Sequence, residues 1–476
     1  MAKKLETLFE CSSCGHESQK WLGRCPACNE WNTFKQVKQI SASAGPGRQG
    51  LTTGRTTANA SGSAVISAKP LGSVGVQEGL RLGSGANEFD RVLGGGMLRG
   101  SSILLGGEPG IGKSTLTLQL ARHIATQTVL YVAGEESAEQ IKLRADRLGL
   151  DLATTQQSIQ ILASSHLDDI IQALVETQPV FVIVDSVQTL FAAEAVSAPG
   201  SPAQIKYCVF QITEWCRQNY AAILLIAHVT KEGTIAGPKL LEHMVDVVLY
   251  FEEAEAGLRV LRGYKNRYGS TDEIGLFSMG PKGLSEVTDP YSVLVEKREG
   301  DNPPGVSTSP VYEGSRILLV ELQALTVPNK NGLSRVNSDR VDQRRVARIA
   351  AVLEKHVGLT FSDQEIYVNI AGGLKVADVS LDLALAMALF SARSGLALPP
   401  HATLIGEVSL SGEIRSVPHL RRRVQAASDM GLKLIVGPAS KETKAMSNWM
   451  PVKDIREAIR VLFKDAAKTI KPAKTE

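Results

Sequence analysis

Residues 107–114 read Gly107-Glu108-Pro109-Gly110-Ile111-Gly112-Lys113-Ser114, a complete phosphate-binding loop. Ahead of it runs the apolar stretch Ser101-Ser102-Ile103-Leu104-Leu105, short enough for a buried strand. Behind it, Leu116, Leu118, Leu120 and Ala121 open a helical stretch. Strand, glycine loop and helix in that order is the context the motif requires. The glycines let backbone N–H groups turn inward around phosphates, at the positive end of the following helix. Lys113 would reach the β- and γ-phosphates, and the Ser114 hydroxyl would ligate Mg²⁺. An ordinary glycine-rich turn lacks such flanks, so the pattern implies a nucleoside triphosphate held by all eight residues.

Two acids extend the site. Thr128–Ala133 reads as a strand ending in Gly134-Glu135-Glu136-Ser137. A carboxylate just past a strand, on the loop side of the sheet, can activate water for attack on the γ-phosphate, which points to Glu135. Phe181-Val182-Ile183-Val184-Asp185-Ser186 reads as a buried strand ending in an acid, placing Asp185 with Ser114 on Mg²⁺. A further strand, Ala222–Ala227, leads into His228, a γ-phosphate sensor or a structural histidine. The small-residue loops 192–203 and 234–239 follow the last two strands. Lys231 and Lys239 supply charge for phosphate contacts, or only a solvated surface.

Cys11, Cys14, Cys25 and Cys28 form two Cys-x2-Cys knuckles separated by ten residues. Four thiolates favour Zn²⁺ in a closed structural site with no vacant catalytic position. A redox reading needs only one such pair, in a βαβ setting. His16 reads as an exposed neighbour, and Trp21 and Trp31 read as the mini-core of a module that depends on metal to fold, or else as a contact for a partner. Cys208 and Cys216 sit in a helical stretch and read as small buried side chains.

A chain of 476 residues is too long for one core and implies about three domains. Composition shifts place a zinc module at 1–36, a Ser/Thr/Ala/Gly-rich flexible linker at 37–64, an ATPase domain at 65–290 and a further domain at 300–476, ending in a frayed Lys-rich tail. No apolar run approaches the roughly 18 residues of a membrane span. The start Met-Ala-Lys-Lys lacks a secretory core, so the expected compartment is cytoplasmic. A net charge of +3 is too small to identify a polyanionic partner.

The order of motifs is four-cysteine module, linker, phosphate loop, Tyr131-Val132-Ala133-Gly134-Glu135-Glu136-Ser137, Val184-Asp185-Ser186-Val187-Gln188-Thr189, Ala227-His228-Val229-Thr230-Lys231-Glu232-Gly233, then Lys265-Asn266-Arg267-Tyr268-Gly269. It resembles the bacterial RadA (Sms) DNA-repair family over nearly the whole chain. The last element is similar to that family's Lys-Asn-Arg-Phe-Gly motif, with Tyr in place of Phe. The resemblance implies an α/β fold: a RecA-like P-loop ATPase core with a small N-terminal zinc module and a C-terminal Lon-protease-like α+β domain. It further implies a DNA-dependent ATPase, a hexameric ring moving on single-stranded and branched DNA, and work with RecA recombinase on recombination intermediates. Lys265 and Arg267 suit a reach across a subunit interface to the neighbour's γ-phosphate. DNA contact by the same cations is the competing role.

Val368–Leu374 and Ile405–Arg415 are similar to the Lon protease catalytic domain, which uses a Ser–Lys dyad. Ser380 falls at the nucleophile position, but the lysine position holds Arg423. Guanidinium stays protonated and cannot act as the base a serine needs. Ala377-Asp378-Val379 also replaces the family's Asp-Gly-Pro. A serine peptidase is therefore disfavoured, and Arg421, Arg422 and Arg423 read as a basic strip for duplex DNA or an ion-paired helix face. The remaining alternative is an ATP-gated DNA-binding scaffold that recruits RecA without translocating.

Overall fold

The computed structural model describes residues 8–11, 17–18, 20–26, 30–37, 70–73, 80–149, 158–195, 197–228, 240–254, 257–296, 298, 300–329, 335–338 and 340–463. Cys14, His16, Cys28, Lys231, Lys239, most of the linker and the tail after residue 463 lie outside the described residues. Among the described residues no helix is long and apolar enough to cross a membrane.

The chain divides into two units: Met1–Ala86, Gly95–Pro109 and Lys113–Leu249 form one, and Asn87–Gly94, Gly110–Gly112 and Tyr250–Glu476 the other. This division cuts through the expected 65–290 domain, and the core explains why. Leu258, Val260, Ile274 and Leu276, from strands of that domain, share one buried cluster with Val311, Leu318 and Leu322 of the following sheet.

In the first unit, strands run side by side in the order Val247–Glu253 (of which only residues 247–249 fall in this unit), Ser102–Gly107, Ala222–His228, Phe181–Asp185, Val129–Ala133, Ile159–Leu162. Neighbours among the last five are parallel, as helical crossovers require. Ile103–Leu105, Phe181–Ile183 and Ala222–Ala227 are wholly buried, the continuous apolar signature of strands covered on both faces. The register pairs His228 with Gly107 and Ala133 with Asp185, so the carboxyl ends that carry the site finish along one edge. In open α/β sheets that edge is where ligands bind.

The N-terminal residues form a three-stranded antiparallel sheet in the order Glu17–Ser18, Leu8–Cys11, Phe34–Val37. Its core is Cys11, Cys25 and Phe34, with Phe9 and Leu22 packed against them. Trp21 and Trp31 are 52% and 69% exposed, which corrects their reading as mini-core. So small a sheet has room inside for thiols and one phenyl ring, and two indoles do not fit.

In the second unit, Leu258–Asn266, Ile274–Gly280 and Gly283–Glu286 form an antiparallel meander. Beyond it lies a four-stranded sheet in the order Val306–Glu313, Arg316–Pro328, Gln364–Ile370, Arg335–Ser338. Helix Asp382–Ser394 packs on that sheet and is buried along its whole length from Asp382 to Ser391, so its apolar residues surround the axis. Helix Gln343–Val357 is amphipathic instead, capped by Asp342 at its start and by Gly358 in the left-handed region at its end.

Candidate nucleotide site

The phosphate loop joins strand Ser102–Gly107 to helix Lys113–Ile124. Gly110 and Gly112 have φ of +80° and +111°, which L side chains rarely adopt. At Gly112 an added Cβ would come within 2.7 Å of Met279 Cε, the end of a flexible side chain that can move aside, so the backbone conformation is what demands glycine there. Lys113 is 4% exposed, and its Nζ donates to the carbonyls of Gly107 at 2.7 Å and Glu108 at 2.9 Å. The ammonium is thus held against the loop, where phosphate oxygens can take over from carbonyls. Burial pushes its pKa down to about 8, and the carboxylates of Asp185 and Glu135 push back.

Asp185 ends its strand next to Ala133 in register. The Tyr131 hydroxyl donates to Asp185 Oδ2 at 2.6 Å. Burial, and then the Asp185 charge, raise the Tyr131 pKa well above its usual value, so the phenol stays a donor and fixes the carboxylate's orientation. Asp185 and Ser114 are hard oxygen donors, the kind Mg²⁺ takes when phosphates complete its shell. Bound there, Mg²⁺ would neutralise charge on the phosphates.

Of the two acids after strand Val129–Ala133, the structure separates the roles. Glu136 pairs with Arg144 on helix Ala138–Arg147, whose start is closed by a Ser137–Gln140 capping box. Glu135 instead accepts from the Ser186 hydroxyl and lies 3.5 Å from His228 Nε2. Gly134 makes this possible. Its N–H donates to the Asp185 carbonyl at 2.8 Å, and a Cβ there would fall 2.0 Å from Thr189 Oγ1. The loop carrying Glu135 is therefore laid directly along the Asp185–Thr189 segment.

The structure thus brings Lys113, Glu135, Asp185 and His228 into one neighbourhood. Tyr131, Ser186 and Thr189 are the positioning residues that sequence reasoning missed. All three lie within the segments Tyr131–Ser137 and Val184–Thr189, and for Tyr131 the signal is a polar residue in an otherwise apolar strand. Loop 192–203 is anchored by the buried Gln204, whose side chain accepts from Ala192 N and donates to the carbonyls of Ala192, Ala195 and Ser197.

Lys265 and Arg267 belong to the second unit. Between them, Asn266 Nδ2 donates to the Val92 carbonyl at 3.2 Å, and its Oδ1 accepts from Tyr268 N at 2.9 Å. Gly269 sits tightly against Gly94, its added Cβ 3.3 Å from the Gly94 Cα. The five-residue motif is thus a pinned turn with a cation on each side of its pin.

Ser380 and Arg423, 43 positions apart, do meet: Arg423 Nη1 donates to Ser380 Oγ at 2.8 Å. The same guanidinium reaches Asp378 Oδ2 at 2.7 Å, the Pro310 carbonyl at 2.9 Å and the Pro418 carbonyl at 3.0 Å, and it lies over the Tyr312 ring. Ser380 is wholly buried and Arg423 is 2% exposed. This removes Arg423 from the expected basic strip, leaving Arg421 and Arg422 on the exposed face. Leu420, Arg423, Val424 and Ala427 form the buried stripe of helix Leu420–Asp429, a spacing that the sequence displays.

In the zinc module, Cys11 and Cys25 are both wholly buried in one cluster, as ligands from two knuckles must be. Cys208 and Cys216 are buried in helix Pro202–Gln218, where burial raises both thiols, Cys208 to about 11. They are inert packing groups.

Fold and site together define a P-loop ATPase with an N-terminal zinc ribbon and a Lon-like C-terminal domain. Family models agree: a rubredoxin metal binding domain matches residues 9–36, an AAA domain 84–234, and the subunit ChlI of Mg-chelatase 335–441. The DNA repair protein RadA of Treponema pallidum (strain Nichols) is 49% identical over 442 residues, covering 93% of this chain and 94% of that protein. Those of Bacillus subtilis (41%, covering 95% and 96%) and Haemophilus influenzae (40%, covering 97% and 99%) align just as fully. The chain belongs to the DNA repair protein RadA family.

The Lys113 amine gives a pH test of the nucleotide site. Phosphate oxygens stabilise its charged form, so nucleotide binding raises its pKa from about 8. Above that pH, ATP binding should take up a proton and weaken with rising pH. Calorimetry in buffers of different ionisation enthalpy measures the uptake, and Lys113→Met should abolish it.

Proposed function

We propose that this chain is a DNA-dependent ATPase acting on recombination intermediates in repair. Gly107–Ser114 and Asp185 hold MgATP, and Glu135 polarises the attacking water. Cys11, Cys14, Cys25 and Cys28 hold a structural Zn²⁺. Lys265 and Arg267 act on the nucleotide of the next subunit in a hexameric ring that moves on single-stranded and branched DNA alongside RecA recombinase. The observation that carries the reading is the convergence of Lys113, Asp185 and Glu135 at the carboxyl ends of parallel strands, in a chain of this family. The pinned turn at Asn266 supports the role of its flanking cations, since transition-state charge is best met by groups already fixed in place. Burial of Ser380 under Arg423 speaks against proteolysis, because no peptide carbonyl reaches that hydroxyl.

ATP turnover and branch migration on three-strand intermediates test it, comparing wild type with Lys265→Ala. Loss of both activities, by about 10³-fold in turnover as for cations supplied across an interface, is the expected result. Intact hydrolysis and migration would remove Lys265 from the motor. Hydrolysis without migration in the wild type would favour the scaffold that recruits RecA.

A further inference from the structure

The two tryptophans excluded from the zinc module's core flank one short stretch of backbone around Gly23. Trp21 Nε1 donates to the Phe34 carbonyl at 3.2 Å. Trp31 lies opposite Arg24 in an antiparallel bridge, and Asn32 N donates to the Gly23 carbonyl at 2.8 Å. Gly23 sits between the rings: a Cβ there would lie 3.7 Å from the benzo edge of Trp21 and 4.0 Å from that of Trp31. The Arg24 guanidinium is 5.7 Å from the Trp31 ring centroid. The rings therefore form one aromatic surface over a glycine, at 52% and 69% exposure.

Such exposure is costly in water unless something covers the rings. Among the side chains described from residue 20 to residue 34, the other exposed ones are Lys20, next to Trp21 in the chain, Arg24, Pro26, Glu30 and Asn32. None of these described side chains is a large aliphatic one of the kind that fills the apolar centre of a protein interface. Cations interleaved with flat aromatic faces are what single-stranded nucleic acid uses: bases stack on the rings and phosphates meet the cations. We propose that Trp21 and Trp31, with Lys20 and Arg24, form a base-stacking platform for single-stranded DNA on the zinc module. The choice of DNA rests on the function proposed above, and the platform goes beyond it by assigning a contact outside the ATPase core.

The test uses the full chain with fluorescein-labelled oligo-dT, followed by anisotropy and by quenching of intrinsic tryptophan fluorescence. Trp31→Ala should weaken binding about fivefold or more, the loss of one stacked base. Its salt dependence should be unchanged, because no phosphate contact is lost. Trp31→Phe should restore most of the affinity with a reduced quench. Arg24→Gln should instead lower the salt slope by about one. Metal analysis confirms that each variant keeps its zinc. A zinc-loaded Trp31→Ala chain with wild-type affinity would overturn the platform. So would an unchanged affinity for DNA alongside lost capture of RecA, which would make the patch a protein contact. Wild type that binds no DNA at all would overturn the proposed function itself.

Discussion

Glu135→Gln should keep ATP binding and lose hydrolysis by about 10²–10⁴-fold, the range for removing a general base. Glutamine preserves the shape of the side chain and can still accept from the Ser186 hydroxyl, so the loop should stay in place. The Lys113 cradle and Asp185 are untouched, and loss of a nearby negative charge should not weaken the hold on a polyphosphate. What disappears is the carboxylate that can accept a proton from water. Single-turnover hydrolysis and binding of a fluorescent ATP analogue, measured on the same preparation, separate the two effects. Equal loss of binding and turnover would mean that Glu135 holds the fold of the loop and not the water. Glu136→Gln is the internal control. With Glu136 engaged by Arg144, it should leave turnover near wild type.

Much of this site was legible in the chain because phosphate chemistry tolerates few local arrangements. Gly110 and Gly112 need positive φ, Lys113 must follow them, and the apolar runs before Glu135 and Asp185 announce covered strands. Parallel strands then bring their carboxyl ends to one edge whatever the intervening loops do. The parts that escaped reading are those settled by tertiary packing. Nothing local says that Tyr131 turns its hydroxyl toward Asp185, or that Thr189 needs the space above Gly134. Trp21 and Trp31 carry the composition of a core, yet their exposure depends on how little volume a three-stranded ribbon encloses. Alternating apolar residues in Leu258–Asn266 and Ile274–Gly280 announce strands, but which apolar surface they join is a matter of long-range packing.

Arg423 carries a large expected stability effect outside the nucleotide site. Its guanidinium serves a carboxylate, a hydroxyl and two carbonyls within a buried space. Arg423→Ala strands Asp378, whose side chain is 11% exposed, and removing one partner of a buried pair costs about 3–5 kcal/mol. The pH dependence gives the sign. Burial alone would raise the Asp378 pKa, but backbone N–H groups of Ser380 and Tyr312, followed by Arg423, hold it below its usual 3.8. The unfolded chain therefore binds this proton more readily than the folded one. The group's stabilisation is complete above pH 3.8 and fades as the pH falls toward the lower folded value. Without Arg423 the burial effect gains weight and the folded pKa rises, so protonation relieves the stranded charge. Denaturation of Arg423→Ala should thus show a penalty that is largest near neutrality and shrinks on acidification. A penalty independent of pH would point to lost packing against Tyr312 instead. Arg423→Lys should be intermediate, keeping a charge for Asp378 while losing the fork that also reaches Pro310 and Pro418. It should also remain inert toward fluorescent casein. Lysine restores the base that a serine nucleophile needs, but Ser380 is still sealed from any substrate by the packing around it.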